Sequence, residues 1–590
     1  MSIKRYDKEF SKPQVILLVF FLLLGCYFRF ANLDSKIFWV DEISTTVRVS
    51  GYTISEVSDR LQQQDIISFN DLLTYQSLSP TRTFGDTWNA LTKSPEHAPL
   101  YFVLTRVWMQ LWGSSIAVMR SLAVFFSLLV FPSLYWLCQE LFNKPSISRM
   151  AVILMSVSPF YVAYAQEARP YSLWTVAILL ISASFIRAIR LNRLASWLLY
   201  STCSVLGLYT SLFSIYIIAF QGIYLLLGRI KNKFDTIKNY LLFTLLSLIV
   251  FSPWILIIIN RIDLLQKNTE WMRGNFNFAE IIAVFIGTVL LIFGDLPISQ
   301  DSDPVQIVLV LILMVVAIAT TLKSSYLKKS PVLFGIFLTF FCSIFLFLNY
   351  KKLDLVSIIG AIIALGILTL ASYSLYYLIK RTNRDRWLYV LCLILSLPLP
   401  LLIIDIINQG QGSTAPRYLI PLQLGIQIAV AYTLINKLAI DKKQKFWQIT
   451  IISFLILGIF SCVRNLNLSP FYQKGRNINN YAIANIINQS NSNLVIIEKE
   501  EAMDLLSLAY SLSPQAKYKV ITPQQDIIQY GDRFQDIFIL RPSKELQDNL
   551  QQNPKIKLEQ VFKSHLFSAD EIPLNLWQLK INYENSHNLL

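Results

Sequence analysis

Charge is scarce in this chain. Asp, Glu, Lys and Arg make up only 15% of its 590 residues, against 54% hydrophobic residues. A soluble protein of this length carries more charge and divides into several separately cored domains. Here apolar runs recur almost from end to end, many of them long enough to cross a bilayer. That excludes a soluble globular protein and points to a multi-span membrane protein. Histidine is scarcer still, with only three: His97, His565 and His587. They are too scattered to make a histidine-based metal site by themselves. The six cysteines, Cys26, Cys138, Cys203, Cys342, Cys392 and Cys462, each lie in or at the end of an apolar run. None forms a Cys-x-x-Cys pair, so they read as small packing residues and not as disulfides or metal ligands. The polar C-terminal part holds no Gly-rich phosphate loop, which argues against a nucleotide site there, and no internal repeat is evident.

A further shortage bears on function class. The apolar runs hold almost no ionisable residue near their centres, where ion-coupled transporters and channels place the charges that bind or relay their cargo. Any chemistry therefore belongs at the membrane edge. The formal net charge of +15 would suit a nucleic-acid partner, but the basic residues cluster in short links between apolar runs, as topology determinants do. No nucleic-acid partner is expected.

Those links set the expected topology. Lys4, Arg5, Lys8 and Lys12 precede the first run, residues 13–31, which places the N-terminus in the cytoplasm and the first loop, 32–97, on the outer face. No small-residue cleavage site follows that run, so it reads as a retained helix. Within the loop, 54–73 has the spacing of short helices lying on the membrane surface. Residues 102–113, short for a span and containing Arg106, read as an interfacial helix. Spans follow at 115–142, 150–166 and 172–186. Two more fit in 195–227, with a turn at Tyr209-Thr210-Ser211. The rest are 240–260, 305–322, 332–348, 355–379, 387–407, 418–436 and 447–463. The total is about thirteen, each near the ~20 residues a bilayer requires. Residues 281–293 read as interfacial or re-entrant, because a crossing there would put Lys323, Lys328 and Lys329 outside; Lys351-Lys352 is the exception to the charge rule. From Arg464 onward polar residues dominate. Short β-type runs at 494–497 and 537–540 alternate with helical stretches at 478–488 and 501–512, as in a small α/β domain. The expected division is a membrane domain, 1–463, and an outer-face (periplasmic) soluble domain, 464–590, on a multi-pass protein of the cell membrane.

With this topology the unusual residues fall on one side. Asp41, Glu42, Glu96, His97, Glu167, Arg169 and Arg417 all lie at the outer membrane edge. An Asp-Glu pair there can take a proton from a hydroxyl or hold a metal that does similar work. It can also simply favour a helix N-terminus. The arginines can grip a phosphate with their planar fork, or merely anchor the protein among headgroups. Taken together, the set reads as a site for a phosphate-bearing lipid and a hydroxyl.

The order of the motifs carries a family resemblance. Phe38-Trp39-Val40-Asp41-Glu42 comes first, then Glu96-His97-Ala98-Pro99-Leu100-Tyr101. Tyr164-Ala165-Gln166-Glu167-Ala168-Arg169-Pro170-Tyr171 and Pro416-Arg417-Tyr418-Leu419-Ile420-Pro421 follow. Over roughly 17–437 this series resembles the bacterial protein O-mannosyltransferase-like glycosyltransferases. These belong to the GT-C superfamily, which includes the aminoarabinose transferase that modifies lipid A. The resemblance implies a GT-C type membrane domain and a polyprenyl-phosphate-linked sugar donor. It also implies an inverting hexosyl or pentosyl transfer on the outer face, to a lipid, glycan or protein acceptor, with no need of ATP. It makes Asp41 the general base, with Glu42 beside it. It assigns substrate binding to Glu96, His97, Gln166, Glu167, Arg169, Tyr171, Arg417 and Tyr418. Ala98 departs from the usual His-Pro-Pro. Tyr209-Thr210-Ser211-Leu212 stands where many relatives carry Tyr-Thr-His-Tyr, so no role of that histidine carries over. A divalent cation held by Asp41, Glu42, Glu96 and His97 is left open. The competing function is a flippase or transporter of lipid-linked sugar; a non-catalytic scaffold and a surface-polysaccharide polymerase or ligase are further readings.

Overall fold

The computed structural model describes residues 12–295, 355–441, 443–467, 476–490, 492–564 and 574–581. The expected spans 305–322 and 332–348 lie outside the described residues, as do Lys323, Lys328, Lys329, Lys351, Lys352, Cys342, His565 and His587. The chain divides into two compact units. One comprises Met1–Leu33, Glu96–Ala98 and Ala123–Phe471; the other comprises Asp34–Pro95, Pro99–Leu122 and Tyr472–Leu590.

The first unit is built of helices. Among the described residues, 7 helices of the chain are long and apolar enough to cross a membrane, or 8 if a bent pair counts as one span. That pair, Pro145–Ser156 and Pro159–Ala165, turns through 62°. Pro159 has no N–H to continue the first helix, and it keeps Ser158 out of the helical region, with ψ 117°. Shorter apolar helices run over Val15–Phe30, Ser214–Leu227 and Phe278–Leu290. The last of these covers most of the stretch expected to be interfacial or re-entrant. The run 195–227 does break where expected, into Leu194–Thr210 and Ser214–Leu227. Gly207 lets the first of these lie close to Tyr171–Leu191, since a Cβ there would fall 2.4 Å from Ile181 Cδ1. Cys138, Cys203, Cys392 and Cys462 are buried among these helices, as packing residues are. Arg29, fully buried, ties the first helix to the bent pair by donating to Gly25 O, Met155 O and Ser156 O.

The second unit is mixed. Its five-stranded sheet has the order β2-β1-β3-β5-β4. The strands are β1 (Asn493–Glu498), β2 (Lys517–Ile521), β3 (Asp536–Leu540), β4 (Ile556–Phe562) and β5 (Leu576–Ile581). β1 pairs in parallel with β2 and β3, while β5 runs antiparallel to β3 and β4. β1 is buried along its whole length, which explains its unbroken Leu-Val-Ile-Ile run. The strands and helices expected after 464 are therefore present.

The first loop is part of this same unit. Ile67 exchanges two backbone hydrogen bonds with Tyr518, both 2.9 Å, and so covers the open edge of β2. The expected short helices form at Ile54–Gln63 and Phe69–Thr74, the second closed by a capping box between Ser68 and Asp71. The helix Leu100–Trp112, read from sequence as interfacial, is fastened into the unit by Arg106. Its guanidinium donates to Val49 O, Thr87 Oγ1 and Arg82 O at 2.8, 2.7 and 2.6 Å.

Candidate active site

In the second unit the acidic pair opens the helix Val40–Val49, where negative charge is favoured by the helix dipole. Its two members are treated differently. Glu42 is 1% exposed and forms a two-bond ion pair with Arg120, Nε to Oε1 at 2.8 Å and Nη2 to Oε2 at 2.7 Å. Arg120 also donates to Lys36 O and Ile37 O, and its guanidinium lies 5.4 Å from the Phe38 ring centroid. The pair thus fixes the approach to the helix from residue 36 to residue 42. Asp41 is only partly buried, and its backbone carbonyl accepts from Thr45 Oγ1.

Around the start of this helix stand residues that sequence reading did not single out. Asn477 accepts from the Val40 N–H, and Ser507 donates to Phe38 O just before the helix. Behind them Arg476 and Arg541 share the carboxylates of Glu501 and Asp504. Only contact across more than four hundred residues gives these side chains meaning, and no local motif announces them.

The first unit holds the other expected residues. Glu96 lies 3.6 Å from His97 Nε2 and accepts from Asn268 Nδ2 at 3.0 Å. Three residues on, Trp271 lies 5.9 Å under the Arg417 guanidinium, which also stacks 5.2 Å from the Tyr418 ring. The loop before Arg417 is shaped to meet this segment. Asp405 is buried and accepts from the N–H groups of Gly412 and Ser413, and Gln411 N–H donates to Met272 O. Gly410 passes so close that a Cβ would fall 2.3 Å from Met272 O.

From Tyr418 the contacts continue inward. Its ring meets Phe213 at 4.7 Å, and Phe213 meets Trp174 at 6.2 Å. Phe213 sits in the break after Tyr209-Thr210-Ser211-Leu212, so the turn without the relatives' histidine places an aromatic ring here. One helical turn before Trp174, Tyr171 carries the Arg169 guanidinium at 5.7 Å. Within this unit the contacts join Arg417 and Tyr418 to Trp271, Phe213 and Trp174, Arg169 to Tyr171, and Glu96 to His97 and Asn268. Gln166 plays another part. Its amide donates to Phe28 O, Arg29 O and Ala31 O, satisfying the open carbonyls at the end of the first helix. Glu167 O accepts from Arg169 N–H at 2.7 Å in the tight turn between helices.

Both Glu42 oxygens are engaged by Arg120, and among the described residues no three His, Cys, Asp or Glu side chains gather as metal ligands.

Residues 96–257 match the family profile described as Dolichyl-phosphate-mannose-protein mannosyltransferase. The matched segment contains Glu96, His97, Gln166, Glu167, Arg169 and Tyr171, and the resemblance read from the motifs is borne out there. Asp41, Glu42, Arg417 and Tyr418 lie outside it. Among curated proteins, none matches the chain in sequence. Among solved structures, ArnT from Cupriavidus metallidurans bound to undecaprenyl phosphate is similar at 12% identity and a TM-score of 0.38, covering 96% of this chain and 98% of that one. The apo oligosaccharyltransferase of Archaeoglobus fulgidus is similar at 11% identity and a TM-score of 0.44, covering 88% and 65%. The oligosaccharyltransferase AglB of the same organism, in complex with an inhibitory peptide and a dolichol-phosphate, gives 11% and 0.43, covering 90% and 69%. Likenesses this distant fix neither a fold nor an activity.

Proposed function

We propose that this chain is a membrane glycosyltransferase that moves a sugar, with inversion, from a polyprenyl-phosphate-linked donor to an acceptor hydroxyl on the outer face of the membrane. Asp41 is the general base. The acceptor oxygen attacks the anomeric carbon as its proton passes to the Asp41 carboxylate. The bond from that carbon to the phosphate oxygen breaks, and the electron pair leaves with the lipid phosphate. Arg169 and Arg417 neutralise the departing charge. The Arg169 guanidinium lies 5.7 Å from the Tyr171 ring and that of Arg417 5.9 Å from the Trp271 ring, and a planar guanidinium fork matches phosphate oxygens. Glu96 and His97 belong to the donor side, since Glu96 is fixed by Asn268, three residues from the Trp271 that underlies Arg417. In this proposal the chain crosses the membrane about thirteen times, ~20 residues each. The membrane domain is 1–463, the N-terminus is cytoplasmic, and the domain 464–590 is periplasmic.

The observation that carries this reading is the division of labour within the acidic pair. Glu42 is committed to a buried ion pair, whereas Asp41, one residue away, is only partly buried. The family match over 96–257 supports the donor class.

The test measures transfer of radiolabelled sugar from a panel of polyprenyl-phosphate hexoses and pentoses. It uses membranes holding equal amounts of wild type and Asp41→Asn. General-base assistance is worth ~10²–10⁴-fold in rate, and a loss of that size is expected. Equal transfer by both would remove Asp41 from the chemistry. Flipping of the same lipids without transfer, insensitive to Asp41→Asn, would favour the transporter instead.

A further inference from the structure

The helix that carries Asp41 starts without a cap of its own. Trp39 occupies the N-cap position in an extended conformation and supplies no side-chain capping bond. The amides of a first helical turn lack intrahelical partners and must find others. Glu42 and Ile43 reach back to Trp39 O at 2.9 and 3.0 Å. Val40 N–H instead donates to Asn477 Oδ1 at 3.0 Å, from 437 residues away. On the other side of Trp39, Phe38 O accepts from Ser507 Oγ at 2.7 Å. Both peptide groups flanking Trp39 are thus held by the C-terminal segment.

Those two side chains are themselves held. Asn477 Nδ2 donates to Asp504 Oδ1 at 3.2 Å, and Ser507 Oγ accepts from Asn480 Nδ2 at 3.0 Å. Asp504 is fully buried and takes hydrogen bonds from Arg476 and Arg541. Arg541 adopts a left-handed φ of 50°, which L-residues disfavour, directly after β3. A conformation of this kind persists where the surroundings over-determine it.

We propose that the C-terminal segment holds the start of the Asp41 helix, Asn477 capping the Val40 N–H and Ser507 fixing the Phe38 carbonyl, and so sets the position from which Asp41 accepts its proton. These two are positioning residues, and the inference rests on the reading of Asp41 as base. Electrostatics run the same way. Burial lowers the pKa of the Arg476 guanidinium, but the charges of Asp504, Glu501 and Asp41 outweigh it and raise the net value. Arg476 is thus within electrostatic reach of Asp41.

The experiment compares Asn477→Ala, Ser507→Ala, Ser507→Thr and the remote control Lys580→Ala with wild type. Each is purified as the full chain in detergent or nanodiscs. Hydrogen exchange over residues 38–45 reports the cap whatever the reaction. Transfer from the polyprenyl-phosphate sugar that wild type uses reports the chemistry, as kcat and KM per folded molecule. Asn477→Ala and Ser507→Ala should speed exchange at 38–45 and lower kcat by about 10- to 100-fold with donor KM unchanged, the penalty of a misplaced catalytic group. Ser507→Thr keeps the hydroxyl and should restore both readouts, and Lys580→Ala should alter neither. Wild-type kcat in the alanine variants, beside an inactive Asp41→Asn, would overturn the inference and leave the proposed function standing. An active Asp41→Asn would overturn that reading, and exchange would then still decide whether the cap exists. A parallel change in kcat and KM, not rescued by threonine, would mark a merely structural role. If Asn477→Ala fails to fold, the Ser507 pair decides alone.

Discussion

The two units hold the charged residues of the candidate site in different settings. In the second unit cations meet carboxylates: Glu42 meets Arg120, and Glu501 with Asp504 meet Arg476 and Arg541. In the first unit the cations of interest lie on rings, Arg169 on Tyr171 and Arg417 on Trp271 and Tyr418. The difference matters for work on a phosphate. An ion pair fixes geometry by cancelling charge, and when buried it is costly to break. A ring face orients a guanidinium without cancelling its charge, at a modest gain of ~0.5–2 kcal/mol. In the proposed function the second unit contributes a placed carboxylate, and the first contributes two guanidiniums set against rings.

The largest effect that would test this contrast is Glu42→Gln. Both partners of the Glu42–Arg120 pair are about 1% exposed, so removing one charge strands the other. The expected loss is about 3–5 kcal/mol of stability, read from thermal unfolding of the purified chain. Joint replacement, Glu42→Leu with Arg120→Met, should recover much of it. A loss below about 1 kcal/mol for the single variant, the range of an exposed pair, would break the contrast.

The first unit should answer differently. Arg417→Lys keeps the positive charge but gives up the flat fork that stacks on Trp271 and Tyr418. Donor KM should rise about tenfold, one hydrogen-bonded contact's worth, while stability changes by no more than ~1 kcal/mol. A destabilisation as large as that of Glu42→Gln would show that Arg417 is structural. Gln166→Ala is expected to do the reverse. It uncovers carbonyls at the end of the first helix and should cost ~1–3 kcal/mol of stability, with kcat per folded molecule unchanged.

How far these residues could be read from sequence follows from the range of the forces that place them. The helices were legible because apolar length and basic links are local signals, and so were β1 and β3, whose runs of Leu, Val, Ile and Phe are unbroken. Asp41, Arg169 and Arg417 stand out in the sequence because their motifs are contiguous. The split between Asp41 and Glu42 was not legible, because it depends on Arg120, which sits in a run that reads as an ordinary span. Gln166 lies in the most specific motif of the chain and reads as a ligand group, yet it caps a helix. Arg29, at the edge of the first apolar run, gave no hint of its bonds to Met155 and Ser156. Asn477 and Ser507 are ordinary polar residues in a polar segment, and only the fold brings them to Val40 and Phe38.

Acid should give the smallest effect and the finest test of the contrast. In the second unit Asp71 has its pKa lowered by the hydroxyl and N–H of Ser68, Asp86 by the N–H and hydroxyl of Thr83, and Asp65 by Arg533 and Tyr530. A carboxylate whose folded pKa is depressed contributes stability above its unfolded value, near ~3.9, and loses it as pH falls through the folded value. Asp71 and Asp86 close the capping boxes of Phe69–Thr74 and Phe84–Thr92. Protonation removes an acceptor from each box, so both helices should fray as the pH drops below about 4. The contributions are small because these groups are largely solvated, and Arg533–Asp65 is an exposed pair. The helix Tyr171–Leu191 holds no acidic residue; its end pairs Arg187 and Arg190 with Glu140, but residues 171–185 pack through apolar and aromatic contacts, so the same change of pH should leave that part unmoved. Hydrogen exchange between pH 6 and pH 3, corrected for the intrinsic rate, should rise over residues 69–92 and stay level over 171–185. An equal rise in both would mean that the charged contacts of the second unit are not what sets its local stability.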